Sequence, residues 1–117
     1  MNKNLLVYVQ DIKSAIAHIK EYSRGLTLED LAKDDLRLDG IIRRLLIIGE
    51  AARRFPDEVR SANPNIPWAD IIGTRNVLVH DYDAIKPEQV MKILSEDIPV
   101  LTKHIEVLGE KLEKGSL

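Results

Sequence analysis

The stretch "RNVLVHDY", residues 75–82, places Arg75, Asn76, His80 and Tyr82 within an otherwise apolar helical pattern. These residue types move protons and hold anions. An imidazole takes or gives a proton near neutral pH. A guanidinium keeps its charge and meets two phosphoryl oxygens at once. Asn76 and His80 are four residues apart and therefore share a helix face. Arg75 lies roughly 140° from His80 on an ideal helix, so spacing alone does not aim both at one ligand. The set also has a purely structural reading, in which Arg75 pairs with Asp70 or Asp81 and His80 closes the helix, favoured there by the helix dipole. The residues alone leave both readings open.

A second candidate surface lies upstream. Arg43, Ile47, Glu50 and Arg54 follow steps of four, three and four, which lines them along one helix face flanked by Arg44 and Arg53. Either this is a solvated face with a Glu50–Arg54 pair, or it is a basic groove that receives a phosphodiester backbone. His18 and His104 each fall on a polar flank beside an apolar stripe and read as surface residues. The pair His80-Asp81 lacks the further His and Asp ligands of a metal-dependent phosphohydrolase, so no metal site is expected. There is no glycine-rich phosphate loop and no Walker pattern, and Ser14, Ser23, Ser61 and Ser95 lie in no nucleophile-elbow context. No cofactor is expected.

Long apolar stripes must position these groups. Leu5, Val9, Ile12, Ile16 and Ile19 mark a first helix over residues 5–22. Gly25 stops it, and Thr27 is placed to cap "LEDLAKDD". Leu38, Ile41, Ile42, Leu45, Ile48 and Ala52 mark a second long helix from about residue 34 to 55. The proline-rich "FPDEVRSANPNIP" predicts a connector with at most a helical turn. A third helix opens at Pro67 and runs to about His80. Pro87 opens a fourth, carrying Val90, Leu94, Leu101, Ile105, Leu108 and Leu112, which Pro99 should kink or divide. The pattern predicts an all-α, antiparallel four-helix bundle, one domain over residues 1–117.

Composition agrees. Of 117 residues, 44% are apolar, 31% charged and only 4% aromatic, with a net charge of −2 that argues against coating nucleic acid by bulk charge. With no cysteine there is neither a disulfide framework nor a thiolate metal site. No apolar run approaches the ~18 residues of a membrane span, and "MNKNLLVYVQDIKS" has no signal-peptide pattern. A cytoplasmic location is expected.

"WADIIGTRNVLVHDY" resembles the signature of HEPN-domain proteins, in the branch of the HepT-type ribonuclease toxins. The core of that signature is an Arg, four residues, a His, one residue and a Tyr, here Arg75, His80 and Tyr82. "RRLLIIGEAARRFP", "NIPWADIIGTRN" and "DIPVLTKHI" resemble the same branch, so the likeness spans nearly the whole chain in order. The resemblance implies a homodimeric four-helix bundle with Arg75 and His80 of both copies facing a shared cleft. It implies a metal-independent endoribonuclease acting as a toxin on RNA. It also implies a cognate minimal nucleotidyltransferase antitoxin (MntA-like) that silences the toxin by adding AMP to Tyr82.

The chemistry fits the residues. RNA carries its own nucleophile, the 2′-hydroxyl, so cleavage to a 2′,3′-cyclic phosphate needs only proton transfer and charge stabilisation. Asn76 would support by fixing the imidazole or binding a phosphate oxygen. A dimer would supply two histidines and two arginines. The alternatives are a non-catalytic HEPN companion of a nucleotidyltransferase, binding nucleotide or mediating dimerisation, and a plain dimerisation bundle.

Overall fold

The computed structural model describes residues 2–116, so Met1 and Leu117 of the expected 1–117 extent lie outside the described residues. The described residues form helices joined by short connections, without strands. Helix α1 (Asn2–Ser23) ends where Gly25 turns at φ +72°, a left-handed conformation that favours glycine. Thr27 then caps α2 (Leu28–Lys33). Its hydroxyl accepts from the Asp30 N–H, its own N–H donates to the Asp30 carboxylate, and both bonds are 3.1 Å. Asp34 ends α2 and caps α3 (Asp35–Ala52), accepting from the Arg37 N–H at 3.0 Å.

The connector holds more helix than its prolines suggest. Asp57–Ala62 form α4, six residues long, where at most a turn was expected. Pro56 sits extended at the N-cap, where it costs no hydrogen bond, and Val59 is buried, which anchors the short helix. Pro67 likewise stands at the N-cap of α5 (Trp68–His80) rather than at its first helical position.

A one-turn 3₁₀ segment (Tyr82–Ala84) leads to α6 (Pro87–Lys92), a π-helical segment (Ile93–Asp97) and α7 (Ile98–Glu113). The π segment is the form taken by the break expected at Pro99. Proline has no N–H for the carbonyl four residues back, and its ring crowds that carbonyl. The wider turn relieves both, and the Ile98 N–H bonds Ile93 O, five residues back.

Helix α1 packs on both α3 and α7, and α3 also packs on α5. The seam holds the apolar stripes read from the sequence, including Val9, Ile12, Ile16, Ile19, Ile41, Leu45, Ile48, Leu101, Ile105 and Leu108, all buried. Phe55, fully buried, stands edge-on to Tyr8 with ring centroids 5.8 Å apart and against Trp68 at 5.4 Å. The Trp68 indole N–H donates to Asn63 O at 2.9 Å, fixing the start of α5. The helix bearing the candidate site is thereby anchored at its entry. No helix of the described residues is long and apolar enough to cross a membrane.

Candidate active site

Helix α5 turns a stripe of Ile71, Arg75 and Leu78 toward α3, at steps of four and three. Ile71 and Leu78 are buried, and Arg75 occupies the place between them where an apolar residue would ordinarily pack. The arginine fits because α3 presents Gly49 at the crossing. A Cβ on Gly49 would stand 2.2 Å from the Arg75 Cβ and 3.1 Å from the Ile71 carbonyl oxygen. The absent side chain is what lets the two backbones come this close.

The guanidinium is held on two sides. Its Nε–H donates to Glu50 Oε1 at 2.8 Å, and Nη1 donates to Asn76 Oδ1 at 2.9 Å. The second bond joins the charged end to Asn76, which shares a helix face with His80. Glu50 is therefore not the partner of Arg54. Its other oxygen meets Arg53 at 3.6 Å, and Arg54 lies over the Tyr8 ring at 5.8 Å. An Arg54 partner one helical turn away would be reached only by turning Glu50 from the seam. The hydrogen bond from Arg75 foremost, with the charges of Arg75 and Arg53, holds the Glu50 carboxyl below its ordinary value, against a smaller opposing effect of burial. Arg75 pairs with neither Asp70 nor Asp81, the partners that the structural reading of the sequence offered.

Asn76 and His80 are both exposed on the outer face of α5, and His80 is the last residue of the helix. Asp81 ends the helix, its N–H donating to Val77 O at 2.7 Å. Tyr82 follows in the 3₁₀ turn and is 44% exposed. Partial burial, together with the charges of Asp39 on α3 and of Asp83, raises its phenol above the ordinary value of 10.0. Arg43, Glu50 and Arg54 do line one surface groove between α1 and α3, completed by Tyr8, Asp11 and Ile47. Glu50 is thus shared between that groove and Arg75. His18 and His104 are half-buried, His18 Nδ1 lying 2.8 Å from Ser14 O within its own helix. Among the described residues, no three His, Asp or Glu side chains gather as a metal-ligand set.

Sequence reasoning missed Gly49. The signal is present, since a glycine inside a strong helical pattern costs about 1 kcal/mol against alanine and so suggests a close approach. Spacing does single out Glu50, but with the wrong partner.

Residues 12–108 match the model of a family described as "Ribonuclease HepT-like". The chain belongs to this family. Arg75, His80 and Tyr82 all lie within the matched span, as does the whole of α5. A "Probable ribonuclease HepT" of Thermococcus cleftensis is 36% identical over 101 residues, covering 86% of this chain and 92% of its own length. A protein of Methanocaldococcus jannaschii named "Putative RNase" is 29% identical over 106 residues, covering 91% of this chain and 97% of its own. No solved structure matches the chain. As a HepT-like ribonuclease, the chain joins a family named for cutting RNA, and its signature residues lie along α5 and the turn after it.

Proposed function

We propose that this chain is a metal-independent endoribonuclease, the toxin of a toxin–antitoxin pair, acting in the cytoplasm as a homodimer of single-domain four-helix bundles. The observation that carries the reading is the Arg75–Asn76 bond, which turns a permanent positive charge toward the helix face that ends in His80. In the reaction, the 2′-hydroxyl oxygen attacks the neighbouring phosphorus while His80 removes its proton. The P–O2′ bond forms, the P–O5′ bond breaks, and the leaving 5′-oxygen takes a proton from the second His80 of the dimer. Arg75 faces the non-bridging oxygens as charge accumulates there.

Two exposed valines support the dimer. Val77 and Val79 lie within α5 between Asn76 and His80 at 41% and 49% exposure, an apolar surface that a second copy would cover. In the groove that Glu50 also lines, Arg43 and Arg54 would guide the flanking strand. The test is direct. Purified protein should cut single-stranded RNA in excess EDTA, leaving 2′,3′-cyclic phosphate and 5′-hydroxyl ends. Cleavage that appears only with added Mg²⁺ would end the metal-independent mechanism, and no cleavage at all would leave a non-catalytic companion of a nucleotidyltransferase.

Tyr82 is the proposed point of control. Tyr8 packs on Phe55 and Tyr22 lies against Arg44 and His18, both half-buried, whereas Tyr82 is exposed beside His80. A nucleotidyltransferase antitoxin would join its phenolic oxygen to the α-phosphorus of ATP, releasing pyrophosphate. A phenol is protonated near neutral pH, and its proton would pass to a base of the partner as the new P–O bond forms. The added phosphodiester would compete for Arg75 and block the strand's entry. With such a partner, ATP and Mg²⁺, one AMP should map to Tyr82 and RNA cleavage should be lost. Tyr82→Phe should stay active and resist the partner. Modification of Tyr8 or Tyr22 instead would contradict the scheme.

A further inference from the structure

A guanidinium offers five N–H donors in a fixed plane, so fixing some of them decides what the rest can meet. Glu50 takes the Nε–H and Asn76 takes one on Nη1. Among the described residues, no other side chain is bonded to the group, so the Nη1/Nη2 end is left for a ligand. That end matches a pair of phosphoryl oxygens bidentately. Only 16% of the Arg75 side chain is exposed, so its stem is packed in the seam and the bond from Nε decides where the guanidinium end points.

The Glu50 carboxylate is well built to hold it. It lies at the end of a rigid helix, 25 residues away in the chain, with Arg53 balancing its second oxygen at 3.6 Å. Resting on the ribonuclease reading above, we propose that Glu50 is the positioning residue for Arg75. It holds the Nε edge so that the opposite end of the guanidinium faces the scissile phosphate. This differs from a place in the RNA groove, where a carboxylate would only repel the strand. The two roles predict opposite results when the charge is removed.

If Glu50 positions Arg75, Glu50→Ala lets the guanidinium wander. The rate constant kcat should fall by about 10–100-fold, since ångström-scale misplacement of a reacting group costs on that order. KM should stay level or drop, because a negative charge beside the strand has gone. Glu50→Gln keeps an acceptor for the Nε–H and should recover most of kcat. A role confined to the groove would instead leave kcat unchanged and lower KM equally in both variants. A merely structural role would lower the active fraction and the melting temperature together, without separating kcat from KM.

A second measurement does not depend on activity. In ¹⁵N-resolved NMR the Arg75 Nε–H should give a slowly exchanging signal in the wild type and in Glu50→Gln, absent in Glu50→Ala. An unchanged signal in Glu50→Ala, or an unchanged kcat, overturns the proposal. A wild-type protein that cuts no RNA overturns the ribonuclease reading, and the hold of Glu50 on Arg75 then stands or falls on the Nε–H signal alone.

Discussion

Replacing His80 by alanine is expected to slow RNA cleavage by about 10²–10⁴-fold, the range that a positioned acid–base group contributes. Its imidazole is exposed at the end of α5, so its loss should leave melting nearly unchanged. Arg75→Ala should cost about 10²–10³-fold through lost charge stabilisation, as removal of a single transition-state donor does elsewhere. Arg75→Lys should recover only a part, because an ammonium keeps the charge but cannot serve Glu50 and a phosphate in one plane. The measurement is single-turnover cleavage of a labelled RNA, with circular dichroism melts on the same samples. Undiminished cleavage by His80→Ala would remove the acid–base role altogether. Loss of cooperative melting in that variant would instead assign His80 to the fold.

The second large effect is expected at a residue with no functional group. Gly49→Ala would place a methyl 2.2 Å from the Arg75 Cβ and 3.0 Å from its Cγ, with the Ile71 carbonyl at 3.1 Å. Backbone and Cβ atoms cannot swing aside, so α3 and α5 must part. Overpacking of this kind costs about 1–3 kcal/mol or more. Alanine's advantage as a helix former, about 1 kcal/mol, does not offset it. The melting temperature should fall, and activity should fall by about 100-fold as Arg75 moves with its helix. Gly73→Ala is the control, because it lies in α5 and a Cβ there meets nothing within 4 Å. That variant should melt higher, by about the 0.5–1 kcal/mol that glycine costs in a helix interior. If both variants melt higher and both cut RNA, the seam does not work as described.

The long helices were legible because burial imposes a period on the sequence. The stripes through Ile12, Ile48 and Ile105 lie where the 3.6-residue repeat puts them, and all three residues are buried. The pairings of the candidate site were not legible. Spacing reports neighbours on one helix, so Glu50 suggested Arg54 one turn on. The actual partner, Arg75, depends on how far α5 slides along α3, and that register is set by Gly49 and the packing around it. The six-residue α4 was hidden for a related reason. Its stability comes from burying Val59 rather than from local propensity. At Pro99 the disruption was readable from the missing N–H, whereas its π-helical form depends on how the flanking turns pack.

Arg75 between Ile71 and Leu78 also has a consequence for selection. Leucine or methionine at position 75 would continue the apolar stripe, but would leave the Glu50 carboxylate without its partner at the seam. A change at position 75 is therefore tied to a change at position 50, 25 residues away in the chain. An apolar residue would suit this place only if Glu50 became uncharged as well, so the two positions should change together or not at all. The seam between α3 and α5 is thus closed by a paired set, Gly49, Glu50 and Arg75, in which no one member is exchangeable by itself.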